Sequence, residues 1–86
     1  MNVVKIVIVK NNKMKVKYPE IGPIYYHYKG GRYTVITMAN HSETNEAMVV
    51  YKSILFGSIY TRPLSMWFDE IELEDKTKVL RFSLQP

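Results

Sequence analysis

The stretch that decides the fold is IYYHYKGGRYTVITM, residues 24–38. Aromatic and β-branched residues, which favour strands, dominate both sides of the pair Gly30-Gly31. Two glycines in succession accept the positive φ angles of a tight hairpin turn without steric cost. The sequence therefore predicts a β-hairpin, with one strand over residues 24–29 and the other over residues 32–38.

A two-residue turn at the glycine pair would fix the register of this hairpin. Tyr28 would lie opposite Tyr33, and Tyr26 would lie opposite Val35. These four residues would share one face of the sheet, because directly opposed residues point to the same side. His27 would lie on the other face.

A second hairpin is predicted at the start of the chain. Residues 3–9 are rich in β-branched side chains, residues 13–18 alternate polar and apolar side chains, and Asn11-Asn12 tolerates a tight turn between them. We define this basic N-terminal hairpin as residues 1–18.

The register of the N-terminal hairpin bears on self-association. Pairing Val9 with Met14 would leave Ile6 and Ile8 on the face that carries the lysines. Either another element of the chain covers Ile6 and Ile8, or they contact a second subunit while the lysines rim the contact. We therefore expect a homodimer or higher homo-oligomer in which Ile6 and Ile8 drive association.

The second half of the chain adds further short strands. Residues 47–55, 59–62 and 79–84 are strongly β-prone, and Pro63 ends its strand or confines it to a sheet edge. Residues 64–73 fit either a strand or a single helical turn, because their apolar spacing suits both.

Length and composition bound the fold class. The chain has 86 residues and no Cys, with 47% hydrophobic and 23% charged residues, which is typical of one globular domain. We predict an all-β (mainly β) fold, a small meander closing into an SH3-like barrel or roll with at most one short helical turn. So short a chain buries roughly 64% of its unfolded surface, and a partner subunit would add stability.

The charge balance bears on partners. Twelve Lys and Arg outnumber eight Asp and Glu, for a net charge of +4. Lys13, Lys15 and Lys17 form a basic strand that would attract the phosphates of nucleic acid, or would only keep an edge strand soluble. The longest apolar run is too short to span a bilayer and no signal-peptide pattern is present, so we expect a cytoplasmic protein with no membrane partner.

The histidines are the residues most suited to catalysis or metal binding. His27 and His41 are far apart in sequence, and Glu43 follows the second by two residues. A zinc site needs at least three ligands at defined positions, and Ser42 lacks the flanking glycines of a nucleophile elbow. We therefore predict no catalytic residue, no metal and no cofactor. His41 and its neighbours favour a turn held by side-chain to backbone hydrogen bonds.

Aromatic and cationic residues form the stronger pattern. Aromatic faces stack on bases, and Arg or Lys groups hold phosphates. The predicted ligand-binding residues are Tyr26, Tyr28, Lys29, Arg32, Tyr33, His41, Glu43, Arg62 and Trp67. In the alternative, the tyrosines and the tryptophan fill the core, and Arg62 pairs with a carboxylate such as Glu43 or Asp69.

Several short motifs in this chain occur together in a known family. HYKGG at residues 27–31, HSET at 41–44, RPL at 62–64 and Arg81-Phe82 follow one another in that order. In this the chain resembles a family of short bacterial and phage proteins described only as a domain of unknown function. The resemblance spans about residues 22–84 and implies a compact, mainly β, stand-alone domain. Family members commonly carry a Trp just before the Arg-Pro pair, and this chain does not.

The sequence supports three functional hypotheses. The first is a non-enzymatic β-barrel module that binds or sequesters an anionic nucleotide-type small molecule. The second is a nucleic-acid binder that uses the lysines of the N-terminal hairpin. The third is a protein-interaction module that acts as a homo-oligomer.

Overall fold

The structure is a computed structural model that describes residues 6–8 and 14–85. Within these residues the chain forms nine strands and one short helix. In chain order they are β1 Ile6–Ile8, β2 Met14–Val16, β3 Ile24–His27, β4 Arg32–Asn40, β5 Ala47–Ser53, β6 Ile59–Pro63, α1 Leu64–Trp67, β7 Glu70–Glu72, β8 Lys78–Leu80 and β9 Phe82–Leu84.

The strands form one principal sheet and two small ones, and all their pairings are antiparallel. The principal sheet has five strands in the order β6-β5-β4-β3-β9, and β1-β2 and β7-β8 are separate hairpins. The mainly β meander with one short helix is confirmed. The described strands do not close into an SH3-like barrel, because β6 and β9 remain the two edges of the principal sheet.

The N-terminal hairpin forms in a register one residue away from the predicted one. Ile8, and not Val9, lies opposite Met14, and Ile6 lies opposite Val16. Ile6 and Ile8 are therefore not opposite Lys17 and Lys15, and the prediction that they share a face with the lysines is wrong. The side chains of Ile6 and Ile8 are outside the described part of the chain, so their predicted role in association stays a prediction.

The glycine hairpin also forms, but its predicted register is wrong. Tyr25 lies opposite Tyr33 and Tyr26 lies opposite Arg32. Residues 28–31 connect the two strands, and the N–H of His27 donates to the carbonyl of Gly31 at 3.1 Å across the start of this connection. Tyr33 therefore shares a face with Tyr25, and Tyr26 points to the opposite side.

A single core covers one face of the principal sheet, which we call the inner face. α1 packs against β5 and β6 on this face. Pro63 ends the edge strand β6, as predicted, because proline has no N–H to continue the ladder. Leu64 and Trp67, three positions apart on the helix, are both buried. No helix in the described ranges is long and apolar enough to cross a membrane.

The centre of the core is aromatic. The rings of Trp67 and Phe82 are stacked, with 3.8 Å between their centroids and 5° between their planes. Tyr25 and Tyr51 contact Trp67 edge-on, at 5.3 and 5.1 Å. Phe82 comes from the edge strand β9, so this stack ties one edge of the sheet to α1.

Candidate ligand site

The connection between β3 and β4 is held in shape by hydrogen bonds around His27. Gly30 N–H donates to the carbonyl of His27 at 2.8 Å, and His27 N–H donates to the carbonyl of Gly31 at 3.1 Å. Lys29 N–H donates to Nδ1 of the His27 ring at 3.1 Å. Both glycines have positive φ, 107° and 93°, which side chains rarely tolerate. The glycine pair therefore defines the shape of this loop.

Beside this loop lies an open cleft of about 610 Å³, which we call the glycine-turn cleft. It is lined by Tyr26, His27, Tyr28, Gly30, Gly31, Arg32 and Leu55. The turn between β5 and β6 is anchored next to it, because Ile54 N–H donates to the carbonyl of Arg32 at 2.9 Å. The cleft thus lies between two connections at one end of the sheet.

The lining of the cleft combines aromatic rings with a guanidinium group. Tyr26 and Arg32 are direct partners across β3 and β4, and the side chain of Tyr26 is 39% exposed. The Nζ atom of Lys29 lies 5.9 Å from the centre of the Tyr28 ring. No Asp or Glu is among the described lining residues. The cleft is therefore an aromatic surface with positive charge, which attracts anions.

His27 connects this cleft to the inner face of the sheet. Its ring lies 4.8 Å from the Tyr28 ring and 4.9 Å from the Phe82 ring. Burial is the main cause that lowers the pKa of His27 below its ordinary 6.5, and the charges of Arg62, Arg81 and Lys29 lower it further. His27 is thus kept neutral by its surroundings near neutral pH.

The two arginines near His27 have different partners. Arg81 is bound by other groups of the chain: Nη2 lies 3.6 Å from Oδ2 of Asp69, and Nε donates to the carbonyl of Met66 at 3.1 Å. Arg62 donates from Nε to the hydroxyl of Tyr51 at 3.4 Å. Of the two carboxylates expected to pair with Arg62, Asp69 pairs instead with Arg81, and no ion pair joins Arg62 to Glu43 among the described residues.

The structure divides the predicted ligand-binding residues into groups. Tyr26, Tyr28 and Arg32 line the cleft, and Lys29 lies next to it. Tyr33 and Arg62 lie on the inner face, where the Tyr33 ring packs near the rings of Tyr51 and Phe82.

Trp67 does not belong to a surface site. Its side chain is 0% exposed and stacks on Phe82 in the core. A ligand cannot stack on it without opening the core, so the prediction that Trp67 lines a surface site is wrong. This outcome agrees with the alternative in which large aromatic residues fill the core.

His41 and Glu43 are also separated from the cleft. They follow the far end of the nine-residue strand β4, about 27 Å along the strand from Arg32 at roughly 3.4 Å per residue. His41 Nδ1 accepts hydrogen bonds from the N–H groups of Glu43 and Thr44, at 3.1 and 3.4 Å. His41 therefore shapes its own turn, as the alternative to a site residue predicted.

No three His, Asp or Glu side chains converge anywhere in residues 16–85, where side chains are described.

Four residues that line the cleft were not among the predicted site residues: His27, Gly30, Gly31 and Leu55. The HYKGG motif contains the first three of these. Leu55 lies next to the cleft only because its turn is bonded to Arg32 through the N–H of Ile54.

Together, the fold and the cleft define a small, mainly β domain with an exposed aromatic and cationic surface at one end of its sheet. The chain belongs to the DUF1653 family of proteins of unknown function, which it matches over residues 23–84. This confirms the family resemblance, and a bacterial or phage origin stays a prediction. No curated protein matches the chain.

The fold is shared with a solved structure of the same family. A crystal structure of a DUF1653 protein from Bordetella bronchiseptica is similar, with a TM-score of 0.63 and 29% sequence identity. The similarity covers 74% of this chain and 86% of that one. Neither the family nor this relative comes with a described activity, so the function rests on the geometry of the chain itself.

Proposed function

We propose that this protein is a non-enzymatic binding module that holds an anionic nucleotide-type small molecule in the glycine-turn cleft. The observation that carries the proposal is the direct cross-strand pairing of Tyr26 with Arg32 in a cleft that no described carboxylate lines. One side chain offers an aromatic face and the other a fork of N–H donors, side by side.

The aromatic part would hold the base. Tyr26 is 39% exposed and Tyr28 lines the same cleft. Stacking of a base on an aromatic side chain contributes about 1–3 kcal/mol. Tyrosine rings also lose little conformational entropy when they order against a ligand, because they have few rotatable bonds.

The cationic part would hold the phosphate. Arg32 can form two parallel N–H···O bonds to one phosphate group, and Lys29 adds a point charge. The exposed side chain of Arg32 has no ion-pair partner among the described residues. A phosphate would therefore not displace an existing carboxylate.

The size of the cleft agrees with a small ligand. Small-molecule sites commonly have volumes of about 300–1,000 Å³, and this cleft has about 610 Å³. We assign it binding without chemistry because its titratable groups are tyrosines, one arginine and a histidine whose Nδ1 already accepts a hydrogen bond from Lys29. These groups form no acid–base pair or activated nucleophile.

Thermal denaturation with a nucleotide panel tests the proposal. The panel contains the mono- and diphosphates of adenosine, guanosine, cytidine and uridine. A ligand present at ten times its Kd adds about 1.4 kcal/mol of stability, which raises Tm by roughly 5–10 °C for a domain of this size. At least one member of the panel should raise the Tm of the wild type.

Three variants test which residues are responsible for the increase in Tm. Arg32→Gln and Tyr26→Ala should abolish most of the increase in Tm. Lys76→Gln removes one positive charge from the exposed β7–β8 turn and should retain the full increase. Equal responses of Arg32→Gln and Lys76→Gln would mean that net charge, and not the cleft, attracts the ligand.

Nucleic-acid binding stays a prediction. Lys13 and the side chain of Lys15 are outside the described residues, and the ammonium of Lys17 lies 4.5 Å from the centre of the Phe68 ring. Binding to single-stranded nucleic acid would weaken steeply with salt, by about 0.7 log-log units for each phosphate contacted. Binding of a mononucleotide would show a much smaller slope, which separates the two hypotheses.

Self-association also stays a prediction. Ile6→Asp should convert a homo-oligomer into a monomer without loss of the fold, as measured by native mass spectrometry and circular dichroism. A wild-type protein that is monomeric at all accessible concentrations would remove this hypothesis and leave the cleft proposal unaffected.

A further inference from the structure

The side chain of Arg62 reaches from one edge of the principal sheet to a residue of the other edge. Arg62 belongs to the edge strand β6, opposite Val49 of β5. Its guanidinium carbon lies 5.7 Å from the centre of the Phe82 ring, which belongs to the other edge strand, β9. The two side chains therefore meet on the inner face, although β6 and β9 are not neighbours in the sheet.

The hydrogen bonds of Arg62 are incomplete within the chain. A guanidinium group has five N–H donors, and only Nε has an acceptor among the residues the structure describes, the hydroxyl of Tyr51. The side chain is partly buried. A partly buried cation without an opposite charge is unfavourable, because it loses solvation without gaining a partner. Arg81 shows the contrast, since Asp69 and the Met66 carbonyl bind its guanidinium.

The surroundings of Arg62 are aromatic and positively charged. Phe82 lies under the guanidinium, and the rings of Tyr51 and Tyr60 lie next to each other at 5.6 Å on the same side of the sheet. The charges of Arg62 and Arg81 both lower the pKa of His27. Aromatic walls exclude water and strengthen the attraction between a cation and an anion.

We propose that Arg62 binds a phosphate group, from the side of the inner face, next to the ring of Phe82. The phosphate accepts hydrogen bonds from the Nη groups of Arg62, which have no acceptor within the described chain. The geometry of a guanidinium fork suits two oxygens of one phosphate. This phosphate subsite is separate from the glycine-turn cleft and does not depend on the proposed function.

The pKa of His27 should change when phosphate occupies the subsite. The ring lies 4.9 Å from Phe82, and the charged groups that lower its pKa are Arg62, Arg81 and Lys29. A phosphate on Arg62 offsets the charge that lowers the pKa of His27 most among the three. The pKa of His27 should therefore rise when phosphate binds.

An NMR titration of the histidine ring protons tests the subsite. Spectra are recorded against pH in inorganic phosphate and in chloride at the same ionic strength. In the wild type, phosphate should raise the pKa of His27 and leave the ring signals of His41 unchanged. An unchanged pKa of His27 in phosphate overturns the proposal.

Variants at Arg62 distinguish phosphate binding at the subsite from other causes of a change in the pKa of His27. In Arg62→Gln the pKa of His27 should be higher without phosphate, because one positive charge is removed, and phosphate should add no further increase. Arg62→Lys keeps the charge, so it should respond to phosphate with weaker affinity. A phosphate response in Arg62→Gln equal to that of the wild type overturns the proposal even if the variant is less stable.

The proposals for the cleft and for the subsite can be tested independently of each other. Arg32→Gln should lose nucleotide stabilisation and keep the full phosphate response of His27. The two sources of phosphate are compared with inorganic phosphate and adenosine 5′-monophosphate as separate probes. A rise in the pKa of His27 with the nucleotide but not with inorganic phosphate would show that no independent subsite exists.

Discussion

The guanidinium of Arg62 lies over the ring of Phe82, although the two residues belong to opposite edges of a five-stranded sheet. Edge strands are normally kept apart or covered. Here the ring of Phe82 also stacks on Trp67 in the core, so that one aromatic residue joins α1, β9 and the cation of β6. Side chains from both edge strands therefore meet on the inner face, although the backbone of the sheet does not close into a barrel.

The stack of Phe82 on Trp67 should be a main source of stability. Phe82 is 2% exposed, and Phe82→Ala should lower the free energy of unfolding by about 3–5 kcal/mol, because it leaves a cavity in the core. Phe82→Leu keeps most of the volume and should cost less than about 1.5 kcal/mol. Urea denaturation measures both.

Phe56 provides the matched control for that experiment. It lies on the β5–β6 turn and is 78% exposed. Phe56→Ala should change the free energy of unfolding by less than about 0.5 kcal/mol. Similar losses for Phe56→Ala and Phe82→Ala would contradict the placement of the core.

His27 should make stability depend on pH below neutrality. Burial and three nearby cations lower the pKa of His27 below 6.5. As pH falls below about 6.5, the unfolded chain takes up a proton that the folded chain resists, so stability should decrease with falling pH. Asp75 also has a lowered pKa, because it accepts two hydrogen bonds from Thr77, but its contribution is lost only at more acidic pH, below 3.8.

Two histidine variants test this dependence. His27→Gln keeps an acceptor for Lys29 N–H and should remove the loss of Tm between about pH 7 and pH 5. His41→Gln removes the other histidine and should retain that loss. If both variants follow the wild-type curve, burial of His27 does not control stability in this range.

Gly31 should tolerate substitution less well than Gly30. Both have positive φ, so Gly30→Ala and Gly31→Ala should each cost about 1–2 kcal/mol from backbone strain. A Cβ on Gly31 would also lie 3.1 Å from the Tyr33 ring, whereas one on Gly30 would meet nothing within 4 Å. Thermal unfolding should therefore show the larger loss for Gly31→Ala, and the opposite order would contradict the contact with Tyr33.

The sequence predicts the strands well because their signals are local. The β-branched and aromatic runs, the glycine pair and Pro63 mark most strands at the places where the structure has them. The run over residues 79–84, predicted as one strand, is divided between β8 and β9, which belong to different sheets. The register of the glycine hairpin could not be predicted locally. A glycine pair is compatible with the two-residue turn that was predicted and also with the longer connection over residues 28–31 that the structure has.

The residue types of the candidate site could be predicted from the sequence, but which of those residues lie together could be predicted only in part. Tyr26, Tyr28 and Arg32 are close in sequence and also line one cleft. Trp67 is of the same chemical type as the stacking residues, but its helical spacing with Leu64 buries it. His41, like His27, begins one of the family motifs, but the nine-residue strand β4 places it at the far end of the sheet. Burial and distance of this kind arise only from tertiary packing.

Isothermal titration calorimetry of nucleoside diphosphates into the protein tests the central claim most directly. We expect saturable binding of at least one of them, with one site per chain. Arg32→Gln should weaken this binding about tenfold or more, because a hydrogen bond to a charged group is worth about 1.5–3 kcal/mol. No binding at about 1 mM, or equal affinity for the wild type and Arg32→Gln, would contradict a nucleotide-type ligand in the glycine-turn cleft.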